Sequence, residues 1–340
     1  MEPKILITGT GRGVGKFIYS QFKKHDIIVE SLTRSNTPQE FIDKLYGTIN
    51  QSYDMIIHCA ANVNHYTWEN YIPYSFYNDN IFLTKDLISI PSFTMAKGFH
   101  FDFKHHDPQR EPVVEIYNSW GSSECTAKEG NPRPIKASGK KGVSEVAEGS
   151  IRAALNNGHR FGFVAGGLDD RGIYADFFQS DQEQYSPGIT AIIAGAQARD
   201  SFSAALMRRA CYATTGARMI LGFQIAGKNM GSELSTATKP GLAYNRHITG
   251  HVAATSPITE IIIFRNGQVF HTYHPNELSF DFTLDDSDPL HQVTLGSKQT
   301  PFVYYYVRVM QEDGHIGWAS PIWVDLQEAE DTSPKKLKRK

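Results

Sequence analysis

The order of apolar segments in the first 87 residues most constrains the fold. KILIT (residues 4–8) is a continuous apolar run that ends at a glycine-rich turn, Thr8 to Gly15 (TGTGRGVG), and a helical pattern follows the turn. Two more apolar runs, IIVESL and YDMIIHCAA, come next with a second helical pattern between them. Strands that alternate with helices indicate a parallel, doubly wound sheet. The alternation stops near residue 87, so it predicts only part of such a domain.

The rest of the chain changes character twice. Between residues 88 and 216, the predicted strands VVEIYN and FGFVAGG alternate with two predicted helices, GVSEVAEGSIRAALNNG and SFSAALMRRACYATTG. From Arg218 onward, β-branched and aromatic residues dominate, and turn signals such as Asn266-Gly267 separate the runs. The pattern predicts an α/β region followed by an antiparallel β-sandwich.

Charge and cysteine content exclude several classes of protein. Lys and Arg number 34 against 36 Asp and Glu, so the formal net charge of -2 offers no basic field for nucleic acid or an anionic membrane. The expected partner is a small-molecule substrate, and self-association stays open. Three separated cysteines without a CxxC pair argue against a disulfide framework. With no apolar run of about 18 residues, the expected location is the cytoplasm.

The glycines of the first turn predict a nucleotide site. Gly9, Gly13 and Gly15 lie where a strand turns into a helix, so that backbone N–H groups can approach a pyrophosphate. Residues 3–86 resemble the amino-terminal half of an extended short-chain dehydrogenase or epimerase. In that family the end of the second strand selects the cofactor, and Arg34 at this position favours NADP because an arginine can accept its 2'-phosphate.

The catalytic pair of that family does not follow. Its Tyr-x-x-x-Lys motif would lie beyond the third strand, and the match in this segment, Tyr19 with Lys23, falls in the first predicted helix. We interpret this pair as an ordinary helix face. The resemblance therefore implies nucleotide binding without hydride transfer.

Two carboxylates in the second region are candidate metal ligands. Glu115 lies inside an apolar strand (VVEIY), where an unpaired carboxylate is costly, so it requires a cation, a metal or a hydrogen-bond partner. Asp169, followed by Asp170, ends the next predicted strand just beyond Gly166 and Gly167, a position where folds with parallel strands place ligands.

A local cluster of His105, His106 and Asp107 adds further metal-competent groups, and His106 is the third candidate ligand. A structural alternative stays open. In it Glu115 pairs with Arg110 or Arg171, and the histidines are solvated loop residues.

Residues 88–325 resemble the carboxyl-terminal half of an uncharacterised family, the domain of unknown function 3604, which is related to the PHP (polymerase and histidinol phosphatase) metallohydrolases. The resemblance depends on IPSFTMAKG, EPVVEIYNSWGSSE, GHRFGFVAGGLDD, ALMRRACYATTGAR, MGSEL and YYYVRVMQEDGHIGWASPIWVD. It implies a distorted barrel that holds divalent metals (Mn, Mg or Zn) and activates water against a phosphoester.

The chain departs from that pattern at three places. The family's initial His-x-His strand has no counterpart, Ser92-Phe93 follows Ile-Pro where the family commonly has histidine, and Arg171 replaces the histidine of Asp-x-His. Without these imidazoles, Glu115 and Asp169 are hard oxygen ligands that suit Mg²⁺ or Mn²⁺.

Several other candidates have a structural interpretation. Ser122, Ser123 and Glu124 are interpreted as a turn or helix cap and not as a nucleophile site. The triplet Tyr304 to Tyr306 alternates between the two faces of a strand and is predicted to pack in the core, as are Trp318 and Trp323.

The predicted fold class is thus α/β plus all-β in four parts. They are a partial Rossmann-like segment (1–87), a partial PHP-like α/β domain (88–216), a β-sandwich (217–326) and a disordered basic tail (327–340). The leading functional hypothesis is descent from a metal-dependent hydrolase, a phosphoesterase, with activity in this chain left open. The alternatives are an NAD(P)-binding dehydrogenase or epimerase fragment and a non-catalytic composite protein.

Overall fold

The computed structural model describes three strands and Lys23 within residues 1–87, and then residues 88–98, 100–140, 142–167, 182–296 and 300–328. The chain divides into two compact units, Met1–Leu87 and Ile88–Lys340.

In the first unit, β1 (Ile5–Thr8), β2 (Val29–Leu32) and β3 (Met55–His58) pair in parallel in the order β2-β1-β3. They coincide with the three apolar runs of the sequence. Gly9, Gly13, Gly15 and Arg34 lie outside the described residues, as do the helices predicted between the strands, so the nucleotide site stays a prediction.

Three sheets make up the described part of the second unit. Their strands are β4 (Val113–Asn118), β5 (Gly121–Ser122), β6 (Gly162–Ala165), β7 (Ile189–Ile192), β8 (Cys211–Thr214), β9 (Ile220–Ile225), β10 (Lys228–Asn229), β11 (Glu233–Ser235), β12 (Arg246–Ala253), β13 (Ile258–Arg265), β14 (Gln268–Tyr273), β15 (Ser279–Asp286), β16 (Phe302–Gln311), β17 (Ile316–Ala319) and β18 (Ile322–Asp325).

Two of these sheets form a β-sandwich. The smaller has the order β10-β9-β12-β15, and the larger contains β7, β8, β11, β13, β14 and β16 to β18. Alternate residues of the small sheet, among them Leu221, Phe223 and Ile248, share a buried core with Ile263 and Tyr305 of the large sheet. The predicted β-sandwich is confirmed, and β7 and β8, which precede residue 217, also belong to its larger sheet.

Strand β16 organises the large sheet, and it is buried on both faces. It pairs with β13 along one edge and with β18 and β17 along the other. Tyr305 faces the small sheet, whereas Tyr304 and Tyr306 lie on the opposite face with Trp318 and Trp323. The alternation predicted for the tyrosine triplet is therefore confirmed, although the two tryptophans pack on the side away from the sandwich core.

The third sheet covers this opposite face. It has the order β5-β4-β6, and β4 and β6 are parallel with a bulge between Glu115 and Tyr117. Val114 and Phe163, which are partners in register, point towards the large sheet and pack in the same cluster as Tyr306. In the second unit, the parallel pair β4 and β6 therefore packs on one face of the large sheet. The other face of the large sheet packs on the small sheet and forms the sandwich core.

Among the described residues, helices are few and short. The described residues contain the α-helices α1 (Ile151–Asn156), α2 (Arg199–Met207) and α3 (Leu290–Val293), and the 3-10 helices Phe103–His105, Ala127–Glu129, Ala147–Gly149 and Pro240–Ala243. None of the helices among the described residues has the length and apolar character needed to span a bilayer.

The predicted fold class, α/β plus all-β, is therefore wrong, since the described chain is mainly β. The helix expected over residues 142–158 is limited to one 3-10 turn and α1, because Ser150 is extended and caps α1 by accepting a hydrogen bond from Ala153 N. The helix expected over SFSAALMRRACYATTG ends at Met207, and Cys211–Thr214 is a buried strand paired with β7 and β17. Burial between neighbouring strands here outweighs the local helical pattern.

A glycine substitution tests the packing of this unit. A Cβ at the buried Gly149 would overlap the Thr94 carbonyl oxygen, so we expect Gly149→Ala to lose about 1–3 kcal/mol of unfolding free energy or more. Gly241, also in a 3-10 helix, has no neighbour within 4 Å of such a Cβ, so Gly241→Ala is the matched control and should stay within about 0.5 kcal/mol. Urea unfolding measures both, and equal losses would contradict the packing described.

Candidate functional site

Glu115 lies on the face of the parallel pair β4 and β6 opposite to Val114 and Phe163. Its register partner is Val164, and its Oε2 accepts a hydrogen bond of 2.8 Å from Asn118 Nδ2. The Ser92 side chain and the Phe93 backbone also lower the pKa of this carboxyl group. Gly166 follows β6 and leaves room for the carboxylate, because a Cβ there would lie 2.5 Å from Glu115 Oε1. Gly166 therefore lies directly against the Glu115 carboxylate.

The electrostatic setting of Glu115 is unusual for a carboxylate. Burial raises its pKa to about 7, and the hydrogen bonds from Asn118, Ser92 and Phe93 only partly oppose the rise. Among the described residues, no cationic group lies within 4 Å of Glu115; Arg110 is paired with Asp107 at 3.7 Å. The sequence predicted that Glu115 has a cation, a metal or a hydrogen-bond donor as its partner. Among the described residues, its partners are hydrogen-bond donors. Asp169, Asp170 and Arg171 fall outside that part.

His106 lies at the other end of the strand pair. Its Nε2 is 3.0 Å from the Glu111 carbonyl oxygen, and its ring contacts His159 and Phe161, the residues that precede β6. Burial lowers the pKa of His106, so the neutral imidazole is favoured. Glu115, in contrast, contacts Asn118 and the Gly166 position at the carboxyl ends of the strands. The structure does not bring His106 and Glu115 together.

Over the described residues, no group of three His, Cys, Asp or Glu side chains is arranged to hold a metal ion. His105, the neighbour of His106, is exposed at the end of the 3-10 helix Phe103–His105. The metal role of Glu115, Asp169 and His106 stays a prediction.

Sequence reasoning missed the groups that hold Glu115. Ser92 and Phe93 come from the loop before β4, where Phe93 adopts a left-handed backbone with φ of 57°. Asn118 reaches Glu115 across the bulge of β4. The Glu-x-x-Asn spacing was visible in the sequence, but the bulge that brings the two side chains to one side was not.

A second carboxylate, Glu124, has a role that the sequence did not indicate. It is buried and receives four hydrogen bonds, from Arg152 Nη2 (3.0 Å), Arg308 Nη1 (2.9 Å), the Tyr306 hydroxyl (2.7 Å) and Trp318 Nε1 (2.9 Å). Burial alone would raise its pKa, but the guanidinium groups of Arg308 and Arg152 and the two neutral donors hold the pKa below its usual value. Glu124 is therefore an ionised structural centre, and its partners leave no lone pair facing solvent.

Comparison with known proteins supports part of the resemblance stated above. Residues 162–248 match a family described as a protein of unknown function, DUF3604. An uncharacterized protein of Chlamydia trachomatis serovar D is 56% identical over 243 residues, which are 71% of this chain and 39% of the relative. A Chlamydia muridarum protein is 55% identical over the same shares. The chain spans about two fifths of the length of these relatives. The relation to PHP hydrolases and to dehydrogenases stays a prediction.

Similar solved structures include the fibronectin(III)-like modules of Clostridium thermocellum CbhA, with a TM-score of 0.20 and 10% identity over 30% of this chain and 93% of that one. The CARDB domain of a Pyrococcus furiosus protein gives a TM-score of 0.21 and 9% identity over 32% and 93%. TM-scores of this size do not establish a common fold. The assignment of a β-sandwich is based on the strand pairing within this chain.

The Glu124 cluster makes a direct prediction about stability. Glu124→Gln keeps the shape of the side chain but leaves Arg152 and Arg308 buried without a counter-charge, so we expect a loss of about 3–5 kcal/mol in unfolding free energy. Glu129→Gln, at an exposed capping position that glutamine also satisfies, should change stability by about 0.5 kcal/mol or less. A loss below about 1 kcal/mol for Glu124→Gln in urea unfolding would be inconsistent with this network.

The raised pKa of Glu115 predicts a pH effect of defined sign. Its pKa is about 7 in the folded state and 4.5 without perturbation, so the folded chain holds the proton more tightly. The stabilisation is fully present below the unfolded-state pKa and is lost as the pH rises through about 7. Glu115→Gln removes this titration, so the variant should gain stability relative to the parent between about pH 5 and about pH 8. Urea unfolding across this range is the measurement, with the exposed Glu277→Gln as control; parallel profiles for parent and Glu115→Gln would contradict the assignment.

Proposed function

We propose that the second unit derives from a metal-dependent hydrolase of the PHP type, with phosphoesters as its ancestral substrate class, and that Glu115 is a carboxylate that faces the metal. One observation supports this most directly. Glu115 is a largely buried carboxylate with a pKa near neutrality, and it has donors but no cation around it among the described residues. Glu124, a carboxylate with a structural role in this unit, differs from Glu115 because two guanidinium groups neutralise its charge.

The oxygen atoms around Glu115 fit a metal only in part. Carboxylate oxygens suit Mg²⁺ or Mn²⁺. At this position, however, the described residues supply one ionisable oxygen ligand, Glu115 itself. The Asn118 Oδ1 atom already accepts a 2.9 Å hydrogen bond from Trp120 N. The proposal is weak metal binding by this chain, without turnover.

Titration with Mn²⁺ tests the proposal. We expect the 340-residue chain to bind Mn²⁺ with a dissociation constant on the order of 1 mM, measured by the electron paramagnetic resonance signal of the free ion. Glu115→Gln should weaken binding by about tenfold or more, whereas Glu277→Gln, which removes an exposed carboxylate, should not. Affinity should also rise as the pH increases through about 7, because the carboxylate must lose its proton to bind.

Hydrolysis of p-nitrophenyl phosphate in the same Mn²⁺ solutions should stay at the background rate. Equal Mn²⁺ affinity of the parent and Glu115→Gln would remove Glu115 from any metal site. Turnover that Glu115→Gln abolishes would show that the chain has kept a working site and that the proposal of inactivity is wrong.

A further inference from the structure

The small sheet of the sandwich has a second face that points away from the core. Phe223 of β9 lies in the core, so its neighbours Gly222 and Gln224 lie on the opposite face. The register places Gly222 beside His251 of β12, and His251 beside Asp281 of β15. These residues line a cavity of about 350 Å³, the sheet cavity.

Gly222 is a strand glycine that packing does not explain. Glycine weakens the interior of a strand and often marks the close approach of another backbone or a ligand. A Cβ at Gly162, Gly250 or Gly317 would lie 2.9 Å or less from a neighbouring side chain, and Gly121 has a positive φ of 130°. At Gly222 the nearest atom would be 3.7 Å away, and the pairing with β12 is regular. Among the described strands, Gly222 is thus the glycine that leaves space without a protein atom in it.

The side chains around this space have fixed orientations. His251 donates from Nδ1 to Asp281 Oδ1 at 2.7 Å, which keeps its Nε2 atom available, and Gln224 Nε2 donates to Asn229 Oδ1 at 2.6 Å. Within the part of the chain that the structure describes, Gln224 Oε1, Asn229 Nδ2 and the Thr249 hydroxyl make no hydrogen bond to protein. All five residues line the sheet cavity, which therefore combines acceptors and donors.

The lining selects the class of ligand. It contains no lysine or arginine and includes the Asp281 carboxylate, so anions are disfavoured. A hydroxyl group both donates and accepts, so it suits neighbouring groups such as Gln224 Oε1 and Asn229 Nδ2. Ile193, just after β7, adds an apolar group, as is usual in ligand pockets, whose volumes begin at about 300 Å³. We propose that the sheet cavity binds an uncharged polyhydroxylated ligand, a neutral sugar unit. Glu115 is not in the lining, so this site is separate from the proposed metal site.

Nitrogen-15 NMR of the 340-residue chain tests the proposal, with glucose, galactose, mannose and N-acetylglucosamine as probes. We expect at least one sugar to shift the Thr249 and His251 amide signals saturably, with a dissociation constant on the order of 1 mM for a ligand of this size. Gly222→Val should weaken this binding by about tenfold or more, because its side chain fills the cavity. The variant should still fold, since valine suits a strand and the space at Gly222 is open.

The matched polar variants are His251→Ala and His247→Ala. His247 lies on the same face of β12, pairs with Asp285 at 2.9 Å and is exposed to a similar degree, but it does not line the cavity. His251→Ala should weaken sugar binding by about tenfold, because it removes a hydrogen-bonding group, whereas His247→Ala should bind as the parent does.

Several results would overturn the proposal. They are the absence of saturable shifts with all four sugars, shifts that Gly222→Val leaves unchanged, and equal losses for His251→Ala and His247→Ala. Glucose 6-phosphate tests the charge of the ligand, and tighter binding of this compound than of glucose at the same amides would also contradict a neutral ligand. Glu115→Gln should bind sugar as the parent does, so sugar binding and Mn²⁺ binding are independent results.

Discussion

The ion cluster around Glu124 joins the layers of the second unit. Its carboxylate lies just after β5, and its donors come from α1 (Arg152), from β16 (Tyr306 and Arg308) and from β17 (Trp318). A buried ion pair costs desolvation energy, so its net contribution to stability is small when compared with apolar packing, but removing one partner is very unfavourable. The cluster therefore fixes the position of the sheet that contains β4 and β5 on the large sheet, and the alternation of side chains along β4 places Glu115 on the other face.

The strands could be predicted where the sequence signal is local. The apolar runs KILIT and VVEIYN and the alternation of Tyr304 to Tyr306 all gave strands. The α/β fold class failed at segments such as Cys211–Thr214, where helix α2 precedes a strand that is defined by its neighbours β7 and β17. Single-sequence patterns report the local preference, whereas a strand in the middle of a sheet depends on partners far away in the chain.

The candidate site likewise depends on contacts that the local sequence does not reveal. The need of Glu115 for a partner followed from its apolar surroundings, but the identity of the partner depended on a bulge and on the left-handed backbone of Phe93. Glu124 gave no signal, because its partner Trp318 is 194 residues away and two of its four donors are neutral. The histidine cluster looked metal-competent in sequence, yet His106 packs on aromatic rings at the opposite end of the strands from Glu115.

The burial of β16 on both faces has an evolutionary consequence. A deletion of one residue in this strand would exchange the side chains of its two faces and disturb two cores at once. A genetic crossover between β8 and β16 would likewise divide strands that belong to one sheet. The region from β4 to β18 is therefore expected to be inherited as one indivisible block, and recombination with other genes should be tolerated only at its borders.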